Sequence, residues 1–199
     1  MTRWFVSDHH FAHENIIRFC KRPFANAREM DEALVTYHNE LVRPEDHVSF
    51  LGDVTIRRGG RQEQEWLCNL IHSMNGHKRL YLGNHDHFPV EVYLRAGFEK
   101  VYATWRDEKG IIFSHIPIHP KSMGSAIANV HGHTHNNTTQ DGKVVDFEPV
   151  MRIDKKTQRV IYSPYVNVSV EVIDYRPVDY DTLLQMFQKA KGEWDGVKT

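Results

Sequence analysis

The sequence predicts an α/β protein in which short strands alternate with helices and lead into polar loops. Three patterns support this fold class: apolar runs that end in Asp, Asn or His, amphipathic helical segments between those runs, and a β-rich segment followed by a final helix. Strands that alternate with helices are typical of α/β folds with short functional loops.

Five short apolar runs in the first two thirds of the chain predict buried strands. They are Arg3–Asp8, His47–Leu51, Arg79–Leu82, Ile111–Ser114 and Ala126–Val130. Each run ends in or is followed by potential metal ligands. This is the pattern expected of a sheet whose strand ends point at one site.

Two segments between the first three runs have apolar residues at helical spacing. The segment Arg28–Val42 carries charged residues on its other face and stops before Pro44, and the segment Gln62–Met74 stops at Asn75 and Gly76. Both patterns predict amphipathic helices packed on a sheet.

The last third of the chain predicts further strands and one helix. Strands are expected at 144–147, 150–153, 160–162 and 166–173, and a helix at 180–191 that buries Leu183, Leu184 and Phe187. Asp179 or Asp181 is expected to cap that helix. No repeat, linker or low-complexity tract interrupts the chain, so we expect a single domain over residues 1–199.

Composition narrows the function classes. The 199 residues contain 25 Lys+Arg and 26 Asp+Glu, and this near-neutral balance disfavours a bulk nucleic-acid or membrane-surface binder. No apolar run approaches the ~20 residues that span a bilayer, and charge follows soon after the first residue, so a cytoplasmic location is expected. Cys20 and Cys68 are too few for a disulfide framework.

The 14 histidines are the first functional signal, because imidazole is the commonest metal ligand. The residues at the strand ends with oxygen or nitrogen donors are Asp8, His10, Asp53, Asn84, His115, His133 and His135. This donor set lacks thiolates and suits Mn, Fe or Zn at a catalytic site. Seven donors exceed the needs of one tetrahedral ion and match two ions that share a carboxylate.

The order of these motifs, DxH, GD, GNHD, H and GHTH, resembles the calcineurin-like metallophosphoesterases. The segment after DxH and the segment NVSVE at 167–171 are similar to the small phage and bacterial branch of that family. The resemblance implies a four-layer α/β/β/α sandwich of two mixed β-sheets flanked by helices. It also implies two divalent ions, with Mn first and Fe, Zn, Ni or Co as alternatives.

The resemblance assigns the ligands to two sites. One ion would be held by Asp8, His10, Asp53 and His135, and the other by Asp53, Asn84, His115 and His133. Asp53 would bridge the two ions, whose typical separation is about 3.5–4 Å. His85 matches the family position that protonates the leaving oxygen, and Asp86 would orient its imidazole.

Three further residues are candidates for contact with the substrate phosphate: His13, Arg22 and His119. His13 has the alternative of capping the helix that follows it, and His119 has the alternative of stabilising a turn.

The expected activity is hydrolysis of a small phosphomonoester or phosphodiester, with a nucleotide as one candidate substrate. The alternatives are a nuclease of the same family acting on DNA or RNA and a non-catalytic scaffold protein. No membrane partner is expected, and the sequence makes no prediction of the oligomeric state.

Overall fold

A computed structural model describes residues 1–136, 150–153 and 160–196. The strands are β1 (Arg3–Val6), β2 (His47–Phe50), β3 (His77–Tyr81), β4 (Phe98–Tyr102), β5 (Thr104–Arg106), β6 (Ile111–Ser114), β7 (Ala128–His131), β8 (Val150–Ile153), β9 (Val160–Ser163), β10 (Tyr165–Asn167) and β11 (Val178–Asp179). The helices are α1 (Glu14–Phe19), α2 (Ala27–Leu41), α3 (Arg61–His72), α4 (Val90–Ala96) and α5 (Tyr180–Gly196).

Two mixed sheets form the centre of the fold. The first has the order β11-β1-β2-β3-β4, in which only β11 runs antiparallel to its neighbour. The second has the order β10-β7-β6-β5, in which only β5 is antiparallel. Strands β8 and β9 form a separate antiparallel pair. The predicted sandwich of two mixed sheets flanked by helices is confirmed.

Aromatic side chains join the two sheets, and helices cover the outside. Phe5 of β1 stacks on Phe113 of β6 with ring centroids 5.2 Å apart. Helices α2 and α3 bury their apolar residues in the same core, as their periodicity predicts. Asn26 begins α2 by accepting a hydrogen bond from the Glu29 N–H, which satisfies one of the free donors of the first turn.

The C-terminal region departs from the sequence prediction. The strand expected at 166–173 ends at Asn167, because the Asn167 side chain accepts hydrogen bonds from both the N–H and the hydroxyl of Ser169 and turns the chain. Val168 and Val170 are fully buried, so their alternation reflects burial in a packed loop. The strand expected at 144–147 lies outside the described residues.

The final helix begins as predicted and packs differently. Asp179 caps α5 by accepting a hydrogen bond from the Thr182 N–H, whereas Leu184, expected to face inward, is exposed. Helices α1 and α4 were not predicted because they are short, and strands β4, β5 and β11 were not predicted because few of their residues are buried. Among the described residues, no helix combines the length and the apolar character needed to cross a membrane.

Candidate metal centre

All seven predicted ligands lie just beyond the carboxyl ends of five strands. They follow β1 (Asp8 and His10), β2 (Asp53), β3 (Asn84), β6 (His115) and β7 (His133 and His135). Because β1 to β3 are parallel to one another, and β6 is parallel to β7, these loops meet at one edge of the sandwich. The structure therefore brings the loops that carry the seven predicted ligands together.

The backbone at these positions is not extended, although an extended strand end would also place Asp8 and His10 on one face. Asp8 and His10 have φ values of 60° and 53°, Asp53 has 52°, and His133 and His135 have 70° and 49°. These are left-handed conformations that cost free energy for residues other than glycine, and such strain concentrates at functional sites. Asp8 and His10 therefore approach each other because the loop turns at both residues.

The Asp53 carboxylate lies at the centre of the cluster. Its Oδ2 is 3.4 Å from Nε2 of His10 and 3.4 Å from Nε2 of His115. The Asp8 carboxylate lies beside it, with Oδ1 3.5 Å from Nε2 of His135 and 3.9 Å from Nε2 of His10. Two groups of donors thus form around the carboxylates, the first Asp8 with His10 and His135 and the second Asp8 with Asp53 and His115. A third group, Cys20 with His135 and Glu171, lies behind His135.

Asn84 and His133 complete the second group. The Asn84 Oδ1 atom lies 3.0 Å from Nε2 of His115, and the His133 ring lies 5.1 Å from the His115 ring. The backbone N–H of His133 also donates to both oxygens of Asp8, at 3.1 and 2.9 Å. The loop after β7 therefore contacts the loop after β1 directly.

The histidine rings are oriented through the nitrogen that faces away from the centre. Nδ1 of His115 lies 2.8 Å from the Leu51 carbonyl oxygen, and Nδ1 of His135 lies 3.2 and 3.3 Å from the two oxygens of Glu171. A proton on Nδ1 can donate to these acceptors, which leaves Nε2 directed at the carboxylates. Metal-binding histidines are held in the same way in known metal sites.

The protonation states also suit metal binding. Burial lowers the pKa of His10 to about 2, so its ring is neutral, and its buried Nε2 has no hydrogen-bond partner among the described residues. Burial opposes ionisation of Asp53, yet the hydrogen bond and positive charge of His115 lower the pKa of this carboxyl to about 2. An orphaned imidazole nitrogen beside an ionised carboxylate fits a divalent cation.

His135 carries a proton that a metal ion would replace. Burial disfavours its charged form, but hydrogen bonds with Cys20 and Glu171 and the Asp8 charge raise the pKa of His135 to about 10. A cation bound at Nε2 would take the place of one ring proton and leave the other on Nδ1 toward Glu171.

Two glycines allow the carboxylates to sit where they do. A Cβ atom at Gly83 would overlap the Asp53 carboxylate, and a Cβ atom at Gly132 would overlap the Asp8 carboxylate. Any side chain at either position would displace a predicted ligand. Glycine allows so close an approach because it has no Cβ atom.

His85 lies at the rim of the cluster, whereas Asp86 has a different role from the predicted one. The His85 backbone N–H donates to Oδ1 of Asp53 at 2.9 Å, and its ring lies 5.5 Å from the His10 ring. The Asp86 carboxylate instead accepts hydrogen bonds from the backbone N–H groups of Asp53, Val54 and Gly83. No hydrogen bond between Asp86 and the His85 ring is formed among the described residues.

Asp86 therefore fixes the loops of the predicted ligands to each other and does not orient the His85 imidazole. Burial raises the pKa of its carboxyl to about 6, and the three backbone donors oppose that rise because they favour the ionised form.

The structure places the three residues predicted to contact the substrate, His13, Arg22 and His119, in different surroundings. Nδ1 of His13 lies 3.4 Å from Nδ1 of His10, and its side chain makes no capping hydrogen bond to α1, so only the site role remains a prediction. His119 is exposed, and its Nδ1 accepts a hydrogen bond from the Lys121 N–H. This bond begins a short 3₁₀ turn at Pro120–Ser122, which supports the alternative of a turn role for His119.

Arg22 is buried, and its guanidinium is fully engaged. It donates to the carbonyl oxygens of Asp8 and His9 at 2.7 and 2.6 Å and to Oε1 of Glu171 at 2.7 Å. It also contacts the Met30 sulfur. The prediction that Arg22 reaches the substrate does not fit this placement, because no N–H remains free to bind a phosphate.

The Arg22–Glu171 ion pair is the main feature of the site that sequence reasoning missed. Both side chains are almost completely buried, at 0% and 1% exposed. Arg22 holds the DxH loop through two backbone carbonyls, and Glu171 contacts His135. The NVSVE segment at 167–171 was used only for its similarity to the small phage and bacterial branch. Its acidic residue, Glu171, was the one signal in the sequence that could have indicated this ion pair.

The calcineurin-like phosphoesterase family model matches residues 1–190 of the chain. The chain belongs to the calcineurin-like phosphoesterase family. Membership of this family supports metal-dependent hydrolysis of phosphoesters in general, in agreement with the donor groups described above.

Relatives of this calcineurin-like phosphoesterase occur in an archaeon and a phage. An uncharacterised protein of Methanocaldococcus jannaschii is 31% identical over 188 residues, which cover 94% of this chain and 92% of that protein. The gene 66 protein of Mycobacterium phage L5 is 28% identical over 132 residues, or 66% of this chain and 58% of that protein.

A solved structure has the same fold. A protein of unknown function from Aquifex aeolicus superposes with a TM-score of 0.65 at 23% identity, covering 93% of this chain and 98% of that one. At this identity the likeness concerns the fold alone.

Proposed function

We propose that this protein is a dinuclear metal-dependent phosphoesterase that hydrolyses a small phosphomonoester or phosphodiester, with nucleotides among the candidate substrates. The observation that carries the proposal is the Asp53 carboxylate, whose Oδ2 lies 3.4 Å both from Nε2 of His10 and from Nε2 of His115, one histidine from each predicted ligand set. A carboxylate with this placement can serve two cations at once.

The residues would divide between the ions as the family motifs imply. Asp8, His10, Asp53 and His135 would hold one ion, and Asp53, Asn84, His115 and His133 the other. When bound, the two divalent ions would neutralise the phosphate oxygens and lower the pKa of a water that attacks phosphorus. The proposal includes manganese as the bound metal and a cytoplasmic location for the protein.

The chain itself would supply orientation and a proton. His85 stands at the rim, where its imidazole can give a proton to the leaving oxygen, and its backbone N–H fixes the Asp53 carboxylate. Asp86 keeps the Asp53 loop and the Gly83 turn together. Hydrolysis by water needs no phosphorylated side chain.

The charges near the site support a small substrate over a nucleic acid. The basic loop after Asp53 is partly neutralised, because Arg57 pairs with Glu63 and stacks on Trp66, and Arg61 pairs with Glu65. The net charge of the whole chain is −1. A nuclease would require more uncompensated positive charge along the phosphate backbone.

The test is hydrolysis of p-nitrophenyl phosphate and bis-p-nitrophenyl phosphate by the Mn²⁺-loaded protein, followed by a panel of nucleotides and oligonucleotides. We expect turnover of at least one nitrophenyl ester and its loss in Asp53→Asn. Cleavage of oligonucleotides alone would favour the nuclease. No hydrolysis of any ester with Mn²⁺ or Ni²⁺ would contradict the proposal and favour the scaffold alternative.

A further inference from the structure

A second polar cavity lies between the two sheets, away from the metal centre. Its volume is about 250 Å³, and its walls include Arg3, His47, Ser49 and Arg79 of the first sheet and Asp107 from the loop before β6. This volume is below the ~300–1,000 Å³ of pockets that hold drug-sized ligands. The cavity therefore suits a small occupant.

Packing alone does not account for these residues. Phe5, Tyr81 and Phe113 pack where the sheets touch, with the Phe113 ring 5.2 Å from Phe5 and 6.1 Å from Tyr81. Tyr81 and Phe113 also line the cavity, but most of its lining is polar and includes His47, Ser49 and Arg79. A face that only joined two sheets would carry apolar side chains.

Two nitrogen atoms at this cavity lack hydrogen-bond partners. Nδ1 of His47 and Nε of Arg79 are buried, and neither forms a hydrogen bond among the described residues. Oδ2 of Asp107 also forms none, but the Arg3 guanidinium lies 3.7 Å from it. Buried polar groups are normally satisfied, so two unsatisfied nitrogens in one cavity indicate a bound molecule that accepts hydrogen bonds from them.

The charge of Arg79 is only weakly compensated, because the Glu99 carboxylate on which it acts is hydrogen-bonded to His77. Asp107 has Arg3 at 3.7 Å, and its Oδ1 accepts hydrogen bonds from the N–H groups of Lys109 and Ile111. Glu108 is exposed, where water and salt screen its charge. Arg79 forms no ion pair in the part of the chain that the structure describes.

We propose that this inter-sheet cavity binds a small oxyanion, a phosphate, sulfate or carboxylate group, through Arg79 and His47. A guanidinium presents donors in a fork that matches such oxygens, and an imidazole N–H adds a donor beside it. The exposed Trp105 ring at the mouth can cover an organic part of the ligand.

This site is separate from the metal centre. His47 and Arg79 precede the predicted ligands Asp53 and Asn84 by six and five residues, roughly 15–20 Å along an extended chain. Strands β2 and β3 start at the cavity and lead to the metal centre at their other ends. The inference is independent of the proposed activity.

Equilibrium dialysis with radioactive sulfate tests the proposal on the full-length, Mn²⁺-loaded protein, because sulfate does not precipitate Mn²⁺. We compare the wild type with Arg79→Met and with Arg61→Met, a control that removes an arginine whose side chain is 90% exposed. Removing one partner of a buried charged pair weakens binding by about 30-fold or more. We therefore expect Arg79→Met to bind one sulfate fewer than the wild type and Arg61→Met to bind the same number.

The outcome is decided by the difference between variants in the number of sulfate ions bound per protein, and not by the total number. If the metal centre binds no sulfate, the wild type still binds one sulfate more than Arg79→Met, so failure of the proposed activity and failure of this inference can be told apart. Equal binding by the wild type and Arg79→Met would overturn the inference and leave water as the occupant. If Arg79→Met does not fold, Arg79→Lys serves in its place, because it keeps the positive charge. We expect Arg79→Lys to bind sulfate about tenfold more weakly, because lysine lacks the forked donors of the guanidinium. An unchanged sulfate affinity in Arg79→Lys would also overturn the inference.

Competition with malonate separates the two ligand sources. If malonate displaces the sulfate whose binding depends on Arg79, the cavity binds carboxylates as well as sulfate and phosphate groups. If this sulfate stays bound in the presence of malonate, the cavity binds sulfate and phosphate groups and excludes carboxylates.

Discussion

At the scale of single residues, the site combines ligands that the motifs reveal with partners that they do not. His85 follows directly from its motif and lies at the rim of the cluster. Asp86, the next residue, binds three backbone N–H groups instead of the His85 ring. Adjacent residues in one motif can therefore take different positions, one beside the donor cluster and one between the loops that carry the donors.

We expect His85→Ala to keep its metal content and to lose about 10²–10⁴-fold in turnover, because a positioned proton donor contributes that much. Metal content is measured by elemental analysis, and turnover with bis-p-nitrophenyl phosphate at saturation. His87→Ala is the matched control, since His87 is exposed and its ring lies 6.0 Å from His85. An unchanged rate in His85→Ala would remove the histidine from the mechanism.

We expect Glu171→Gln to weaken binding of the ion held by Asp8, His10 and His135 by about 10–100-fold, the usual cost of losing a group that orients a metal ligand. A neutral amide binds the His135 Nδ1–H less strongly and leaves the Arg22 charge unpaired. Calorimetric titration with Mn²⁺ measures both sites. The control is Glu63→Gln, whose ion pair with Arg57 is on the surface. Equal affinities in the two variants would refute this role.

At the scale of elements, the strand ends were predictable and the loop geometry was not. Apolar periodicity located β1, β2, β3, β6 and β7, because each is a buried run followed by polar residues. The left-handed conformations of Asp8, His10 and Asp53 could not be read from these residue types, since non-glycine residues adopt them only where the surrounding structure enforces them.

We expect Gly132→Ala to lose Mn²⁺ binding and to lower the free energy of unfolding by about 1–3 kcal/mol, as overpacking does. The added Cβ would overlap the Asp8 carboxylate and the Ser7 hydroxyl. Gly60→Ala is the matched control, because its Cβ would meet open space. Calorimetry and chemical denaturation measure the two effects. Normal metal binding by Gly132→Ala would show that the loop after β7 can move away from Asp8.

At the scale of the whole molecule, several histidines serve the core and make stability depend on pH. His38 is fully buried between α2 and the first sheet, where Nε2 lies 2.9 Å from the Asn75 carbonyl oxygen. Burial lowers its pKa to about 4. Since its unfolded pKa is about 6.5, the unfolded chain takes up a proton first as the pH falls, and stability is lost below about pH 6.5.

We expect the free energy of unfolding to fall by about 2 kcal/mol more in the wild type than in His38→Gln between pH 7 and pH 5. Glutamine can keep the hydrogen bond to Asn75 and does not titrate. Urea denaturation of the metal-free proteins at both pH values measures the difference. The exposed His72→Gln serves as control and should follow the wild type. A wild-type slope equal to that of His38→Gln would contradict the assignment.

The sequence by itself determined the α/β class and the five strand ends and predicted the seven ligands, because burial periodicity and motif order are local properties of the chain. The tertiary structure decided which groups meet. Arg22 and Glu171 are 149 residues apart, and nothing in either local pattern indicates that they pair. The inter-sheet cavity around Arg79 also arises only when two sheets pack face to face. Contacts between distant segments depend on how the layers assemble, and that information is distributed over the whole chain.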